Sequence, residues 1–483
     1  MWVSNYNIYI SLPDNAHYLI VHGYTGAIDC VDADLARSLQ ECFAKRSDAS
    51  ILKLPIEIRD ILERRGYLTE LPLEEEVAFV AHLAQKIQAR HSERTEFWFI
   101  PSYNCQLRCK YCFERPLQEQ GEREGWLAQQ MSPDLVDAAF AAITRLQVKR
   151  TVKRIVLYGG EPLMSANRQI VRYIVDRGVQ LGYYFGALTN GVDLHLYEDL
   201  LGKGRIEQLL VTIDGARDTH NRLRVYRHGE GTFDQIIRNI QLALRKGVYI
   251  LLRVNVTWDV LAHLYEFAQL VQELEWDRNP NLRIHCYAVH TNQQYRCGIA
   301  KSVEGDAGPC LADGGQGLSV LIDNAKVANF IYKTKLYDHL GGLWSADPYM
   351  AILVNTLFCG RPGTALSAAF CGAHYGFYIF DPFGNIYPCS RLVGNMHHRI
   401  GVFIPQLAFN ENCRRWHERA VYNMPACLKC PFVLYCRGGC AQQALLEKGD
   451  IYHPYCDGFD ERFRAAMATY YIYRRQFYSW TLD

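Results

Sequence analysis

Three cysteines and no fourth, in the run Cys105-Gln-Leu-Arg-Cys109-Lys-Tyr-Cys112, constrain this chain more than any other feature. The spacing C-x3-C-x2-C offers three thiolates from one short loop. A structural zinc ion closes its shell with four ligands, whereas a 4Fe-4S cluster held by three keeps one iron open for a ligand that is not protein. The triad therefore predicts a cluster that does chemistry rather than one that only carries electrons.

Bulk composition narrows the setting. A chain of 483 residues predicts two to four domains with sizeable cores. Its formal net charge of +1 gives no support for nucleic acid as a partner. No apolar run reaches the roughly 18 residues of a membrane span, and the N-terminus lacks a basic-then-apolar signal. A soluble cytoplasmic protein without a membrane partner is the expectation. Seventeen cysteines in a large protein of that compartment suggest metal rather than disulfides.

Further along, Tyr158-Gly159-Gly160-Glu161-Pro162 supplies two residues without Cβ, which let a ligand's amino group approach a strand end, and a carboxylate as counter-charge. The triad followed by this GGEP segment resembles the signature of radical S-adenosylmethionine (SAM) enzymes. The resemblance implies that Cys105, Cys109 and Cys112 hold the catalytic cluster and that its open iron takes the amino and carboxylate groups of SAM. It also implies that Tyr111 lies beside the adenine, and that Gly159, Gly160 and Glu161 line the cofactor. The chemistry so implied is one-electron reduction of the cluster by a donor such as flavodoxin or ferredoxin, cleavage of SAM to methionine and a 5'-deoxyadenosyl radical, and hydrogen abstraction from substrate.

Along the chain, residues 1–92 read as a small module. Asn7 to Leu12 and Tyr18 to His22 predict a hairpin, Asp32 to Phe43 an amphipathic helix, and Pro55 to Arg65 a second helix capped by Gly66. This mixture suits a winged-helix-like unit similar to the recognition domains of peptide-modifying enzymes, where a leader peptide adds a strand; a structural cap on the barrel is the other reading. Glu74-Glu75-Glu76 reads as the solvated start of a linking helix. Residues 93–330 alternate strands with helices. Phe97 to Ile100, Arg154 to Tyr158, Tyr183 to Leu188, Leu209 to Ile213, Ile250 to Thr257 and Arg283 to Ala288 are the strands, with helices such as Ser132 to Leu146 and Thr232 to Lys246 between them. The predicted class is α/β, a partial (β/α)6 TIM-like barrel with its site at the strands' carboxyl ends. Gly229-Glu230-Gly231-Thr232 reads as a turn with Thr232 as helix cap rather than a phosphate cradle. Asn190, Thr212, Asp214 and Arg253 are candidate SAM contacts, while Asn190 and Asp214 serve equally as turn formers.

Residues 331–483 form a cysteine-rich third domain. Cys371, Gly384, Cys389, Cys427-x2-Cys430-x5-Cys436-x3-Cys440 and Cys456 resemble the seven-cysteine SPASM pattern, and Cys359 supplies an eighth. By resemblance, Cys359, Cys371, Cys389 and Cys440 hold one auxiliary 4Fe-4S cluster and Cys427, Cys430, Cys436 and Cys456 another, giving three clusters with the triad. Were Cys359 not a ligand, one auxiliary iron would stay open to substrate. Structural zinc is the rival for these cysteines on their own. Cys30, Cys42, Cys286, Cys297, Cys310 and Cys413 remain unassigned, with Cys286, Cys297 and Cys310 as weaker candidates for substrate contact. The tail from Phe463 to Trp480, rich in Tyr, Phe and Arg, reads as core packing or a partner surface.

Such resemblances imply a peptide maturase. Its partner would be a ribosomally made precursor peptide, with a small accessory peptide-binding protein as a further partner, and its product a crosslink, a thioether, an epimer or a backbone splice with tyramine excision. Two alternatives stand beside it: an anaerobic sulfatase-type maturase, and a cluster-bearing scaffold or peptide-binding subunit. The sulfatase family places an Asp base directly after the second SPASM cysteine, where this chain has Ser390.

Overall fold

Six segments rich in β-branched and aromatic residues become consecutive parallel strands of one sheet: Arg94–Phe99, Arg150–Leu157, Tyr184–Thr189, Ile206–Thr212, Tyr249–Val256 and Leu282–Ala288. Neighbours in sequence are neighbours in the sheet, the order that helical crossovers between parallel strands produce. This computed structural model describes residues 1–48, 51–289, 344–345, 348–358 and 362–477, together with 327, 330 and 334. In the fifth strand Ile250, Leu252, Val254 and Val256 are fully buried, and Arg253 and Asn255 alternate with them on the other face. Local signals hold at several helix ends. Ser132 caps Pro133–Leu146 by accepting from the Leu135 N–H at 3.2 Å, with Pro133 at the first turn.

The sheet continues past the barrel. Phe377–Phe380 lies parallel to the first strand, Phe377 opposite Glu96 and Phe380 opposite Phe99, and three short antiparallel strands follow, Asn385–Tyr387, Gly401–Val402 and Ala408–Phe409. Sequence reading assigned these residues to a third domain. Here they belong to the unit formed by Glu93–Pro348 and Gly376–His417, while Met1–Ser92, Tyr349–Tyr375 and Glu418–Asp483 form the other.

In that other unit Asn7–Ser11 and His17–His22 pair as the expected hairpin, and a third strand, Ile28–Asp32, adds to it. Helix Ala33–Lys45 follows, then Ile56–Arg65 ending at Gly66 with φ 91°, then Leu73–His91. The hairpin does not close its core alone. Tyr6, Ile8, Ile10 and Val21 pack in one cluster with Val80, Leu353, Leu434, Tyr435, Phe463 and Met467. Backbone carbonyls between two cysteines are tied to the residues that lead into this hairpin: Tyr6 Oη donates to Leu428 O and Asn5 Nδ2 to Lys429 O, the latter at 2.9 Å. Phe463 is wholly buried and stacks on Tyr435, so this part of the aromatic tail is core.

One expectation is corrected. Glu76 is not solvated; it is 1 % exposed and accepts from Ser4 Oγ and from the Asn5 N–H at 3.0 Å. A carboxylate supplied with donors in this way can be buried, and a run of three glutamates does not reveal which one the hairpin covers. Cys286 is also fully buried within its strand and offers no surface to a substrate. Cys297, Cys310 and Cys359 lie outside the described residues.

Candidate active site

The first strand ends at Phe99 and the chain turns through Ser102 to Asn104 into the cysteine loop, while the second strand ends at Leu157 and delivers Tyr158-Gly159-Gly160-Glu161. The two segments are pressed together. A Cβ on Gly160 would collide with the carbonyls of Tyr103 and Asn104, and one on Gly159, whose φ is 124°, with the Ser102 carbonyl. The Glu161 N–H donates to Asn104 O at 2.8 Å, which completes the clasp. The glycines thus let the cysteine loop's own backbone approach, a use the sequence reading assigned to a ligand's amino group.

Glu161 is 1 % exposed and serves as a hub: Oε1 accepts from Thr189 Oγ1 at 2.6 Å and Leu163 N at 2.8 Å, and Oε2 from Asn190 N at 2.6 Å. Burial pushes its carboxyl up to about 7, and these three donors oppose the shift. Asn190 is the turn former expected, its Oδ1 accepting from Val192 N, and its Nδ2 reaches Cys105 Sγ at 3.8 Å, a contact with the triad that sequence reading did not assign to it. Glu161 therefore fastens the third strand's end to the triad.

A second hub holds the other side. The Tyr111 hydroxyl donates to Asp214 Oδ2, and it accepts from Arg224 Nη1 at 2.8 Å and Asn255 Nδ2 at 3.1 Å. Asp214 Oδ1 accepts from the Asn255 N–H at 2.9 Å. Neutral His220 braces the arrangement: its Nδ1 accepts from Asp214 N–H at 3.2 Å, its Nε2 meets Thr232 Oγ1 at 3.0 Å, and that hydroxyl donates to the Arg224 carbonyl. Burial and the nearby Arg224 hold His220 well below the usual imidazole range. Arg253 lies with its guanidinium over the Tyr287 ring at 4.2 Å, and buried Thr212 ends the fourth strand opposite it.

Sequence reasoning missed Arg224, which is 7 % exposed and stands in the electrostatic field of Cys109 and Cys112. The run Arg222-Leu-Arg224-Val-Tyr-Arg227 holds three arginines, and only the folded chain buries the middle one while leaving its neighbours exposed. It also missed Glu114, a buried carboxyl pushed up to about 8 by burial, with Tyr158 and Arg391 opposing the shift and Oε1 without a partner. Thr232 is no side-chain cap; Asn221 Oδ1 accepts from Thr232 N and Phe233 N at 3.0 and 3.1 Å instead.

The residues suit a 4Fe-4S cluster with SAM. Three thiols project from one loop, and desolvation pushes all of them up, Cys112 to about 12, so that they ionise in this setting only against a strong positive charge such as iron. Arg224 and Asp214 offer a cation and a carboxylate beside them, fit for the carboxylate and ammonium ends of an amino acid. A cavity of about 420 Å³ opens next to Cys105, lined by Gln106, Leu127, Met164, Tyr226 and Arg227.

In the other unit Cys427, Cys430, Cys436 and Cys456 are electrostatic neighbours of one another, and Cys371 is a neighbour of Cys440. Between Cys436 and Cys440 the residues Arg437, Gly438 and Gly439 all have positive φ, at 62°, 74° and 70°, a tight left-handed turn that separates two cysteines close in sequence. Among the described residues no group of three or more His, Cys, Asp or Glu is drawn together as for a single metal ion. Tetrahedral zinc at about 2.3 Å from each sulfur would need thiolates about 3.8 Å apart. No described helix is long and apolar enough to cross a membrane.

Comparison with known proteins agrees with this geometry. Residues 99–268 match the family model of the radical SAM superfamily. A cysteine-type anaerobic sulfatase-maturating enzyme of Clostridium novyi (strain NT) is 20 % identical over 388 residues, 75 % of this chain and 92 % of that protein. The GTP 3',8-cyclase of Synechocystis sp. is 28 % identical over 158 residues, 32 % of this chain and 43 % of that enzyme. The solved structure of native anSMEcpe with bound AdoMet and Cp18Cys peptide has a TM-score of 0.57 at 17 % identity, covering 79 % of this chain and 99 % of the other. The matched segment holds the cysteine loop, the GGEP clasp and the second to fifth of the six parallel strands, so residues 99–268 carry a radical SAM domain, which implies a 4Fe-4S cluster and SAM.

Proposed function

We propose that this protein is a peptide-modifying radical SAM maturase with three 4Fe-4S clusters. The observation that carries the reading is the triad, with three buried or half-buried thiols clasped by GGEP and faced by the Arg224–Asp214–Tyr111 network. When bound, the cluster and SAM supply a 5'-deoxyadenosyl radical that abstracts hydrogen. The chain's own residues do the placing. Glu161 fixes the triad to the third strand, Arg224 and Asp214 hold the amino-acid end of SAM, and Asn190, Thr212 and Arg253 flank the rest of the cofactor. Cys427, Cys430, Cys436 and Cys456 hold one auxiliary cluster. Cys371 and Cys440 belong with Cys359 and Cys389 to the other. Residues 1–92 bind the precursor's leader, the barrel of 93–330 acts on its core, and the cysteine-rich segment of 331–483 handles the electron.

Peptide as substrate class draws support from the cysteine pattern and from the fold shared with anSMEcpe, solved with bound AdoMet and a peptide. Sulfatase maturation is the second reading, favoured by the relative matched over 75 % of the chain and opposed by Ser390 in place of the Asp base. One experiment separates them. The protein, made without oxygen and given a reductant and SAM, should form 5'-deoxyadenosine. Coexpressed with a small peptide encoded beside its gene, it should change that peptide's mass by two hydrogens per crosslink or by a tyrosine-derived fragment, or alter residue chirality without a mass change. Modification of a sulfatase peptide and not of the neighbouring one would move the assignment to the second reading. Absence of 5'-deoxyadenosine from a fully iron-loaded protein would leave a scaffold.

A further inference from the structure

Arg419 is the feature of the cysteine-rich unit that the proposed function leaves unused. Its side chain is wholly buried. Nε donates to the Ile451 carbonyl, and Nη2 to the carbonyls of Gly438 and His453 at 3.1 and 3.5 Å, while Nη1 has no partner. Among the described residues no carboxylate pairs with it. A guanidinium does not shed its proton in a protein, so this is a fixed positive charge in a dry interior, held only by backbone dipoles. Such a charge persists where something nearby is negative.

Its bond to the Gly438 carbonyl sets it against the turn between Cys436 and Cys440, and the cysteines Cys371, Cys440, Cys427 and Cys436 lie in its field. Their membership matters: the first two belong to one proposed ligand set and the last two to the other. Arg437 also lies in the field of Cys371, but it donates to the Ala365 carbonyl at 2.9 Å. The acids Asp457 and Asp460 act on Cys436 and Cys430. As neutral thiols the four cysteines give the guanidinium nothing. As thiolates around iron they place net negative charge beside it.

We propose that Arg419 is the shared counter-charge of the two auxiliary clusters, a positioning residue that sets both of their potentials. The proposal rests on the reading of these cysteines as cluster ligands. Adding an electron to either cluster adds negative charge beside a fixed cation, so Arg419 favours the reduced form of each.

The test uses the full chain isolated without oxygen, as wild type, Arg419→Lys and Arg419→Gln. Iron is counted, and each protein is titrated with dithionite while its reduced-cluster signals are followed by electron paramagnetic resonance. Arg419→Gln should move the auxiliary signals to more negative potential by about 59 mV or more, a tenfold change in the oxidised-to-reduced ratio of a one-electron couple. Arg419→Lys, which keeps the charge, should stay near wild type. Unmoved potentials in a fully loaded Arg419→Gln protein overturn the proposal, and so do equal shifts in both variants, which would make shape rather than charge the cause. If the Gln variant fails to load iron, thermal unfolding of the iron-free chains decides. Without clusters the guanidinium is uncompensated, so iron-free Arg419→Gln should melt above iron-free wild type; melting below it overturns the proposal. A wild-type chain carrying iron at the triad alone would overturn the ligand reading itself, a result distinct from unmoved potentials in a three-cluster protein.

Discussion

Two residues show how differently a side chain can be announced by its neighbours. Glu161 stands in a motif that anyone reading the chain would stop at, yet its part in the fold, three donors on one buried carboxylate, comes from Thr189, Asn190 and Leu163. Arg224 stands in no recognised position and is buried against the triad. Gly160→Ala should drive a Cβ into the cysteine loop's carbonyls. The expected outcome is a loss of about 1–3 kcal/mol of stability and of about four irons per chain, read by thermal unfolding and iron assay. Unchanged melting with full iron would show that the loop yields. Arg224→Leu removes a charge-assisted donor worth about 1.5–3 kcal/mol, so SAM affinity measured by equilibrium dialysis should fall about tenfold or more. Undiminished binding would assign SAM's carboxylate to Arg253.

At the scale of elements, the helices were legible as spans and less so as ends. Phe233–Arg245 was foreseen to within a residue, but its cap is Asn221, which reaches it through the fold from twelve residues before its first turn. Asn221→Ala is expected to cost about 1 kcal/mol, visible as a lower midpoint in urea, whereas Thr232→Val should disturb the His220–Arg224 brace without removing the cap. The N-terminal hairpin carries a pH dependence. His22 is wholly buried, and burial lowers its pKa to about 3. Thr25 N–H donates to Nδ1 at 3.2 Å while Nε2 lies 3.1 Å from Ser4 Oγ, so the neutral ring is the form that fits. Because the folded pKa is depressed, the unfolded chain binds the extra proton between about pH 6.5 and 3. Stability from this group is therefore complete above about pH 6.5 and is lost as pH falls, at up to about 1.4 kcal/mol per unit. Urea midpoints at pH 6.5 and 5.5 should show that slope in the wild type and a flatter one in His22→Asn.

For the whole molecule, the cysteine sets make separable claims. Cys436→Ala should remove about four irons of about twelve, abolish peptide modification, and leave peptide-independent formation of 5'-deoxyadenosine at the triad. Retention of all iron would show that Cys436 is not a ligand.

The chain by itself determined the chemistry of contiguous stretches: the triad and its missing fourth ligand, the GGEP segment, the alternation that makes six parallel strands, and the spacing of the C-terminal cysteines. Ligand number and helical or strand period are properties of neighbouring residues, so they can be read without a fold. Tertiary structure decided what depends on solvent exclusion and on partners far apart in the chain. It buried Glu76, Arg224 and Arg419 among similar residues that stay exposed, joined Tyr111 to Asp214 and Asn255, and packed the N-terminal hairpin into one core with the cysteine-rich segment. Burial is a non-local quantity, set by which distant surfaces displace water, and no run of residues carries it alone.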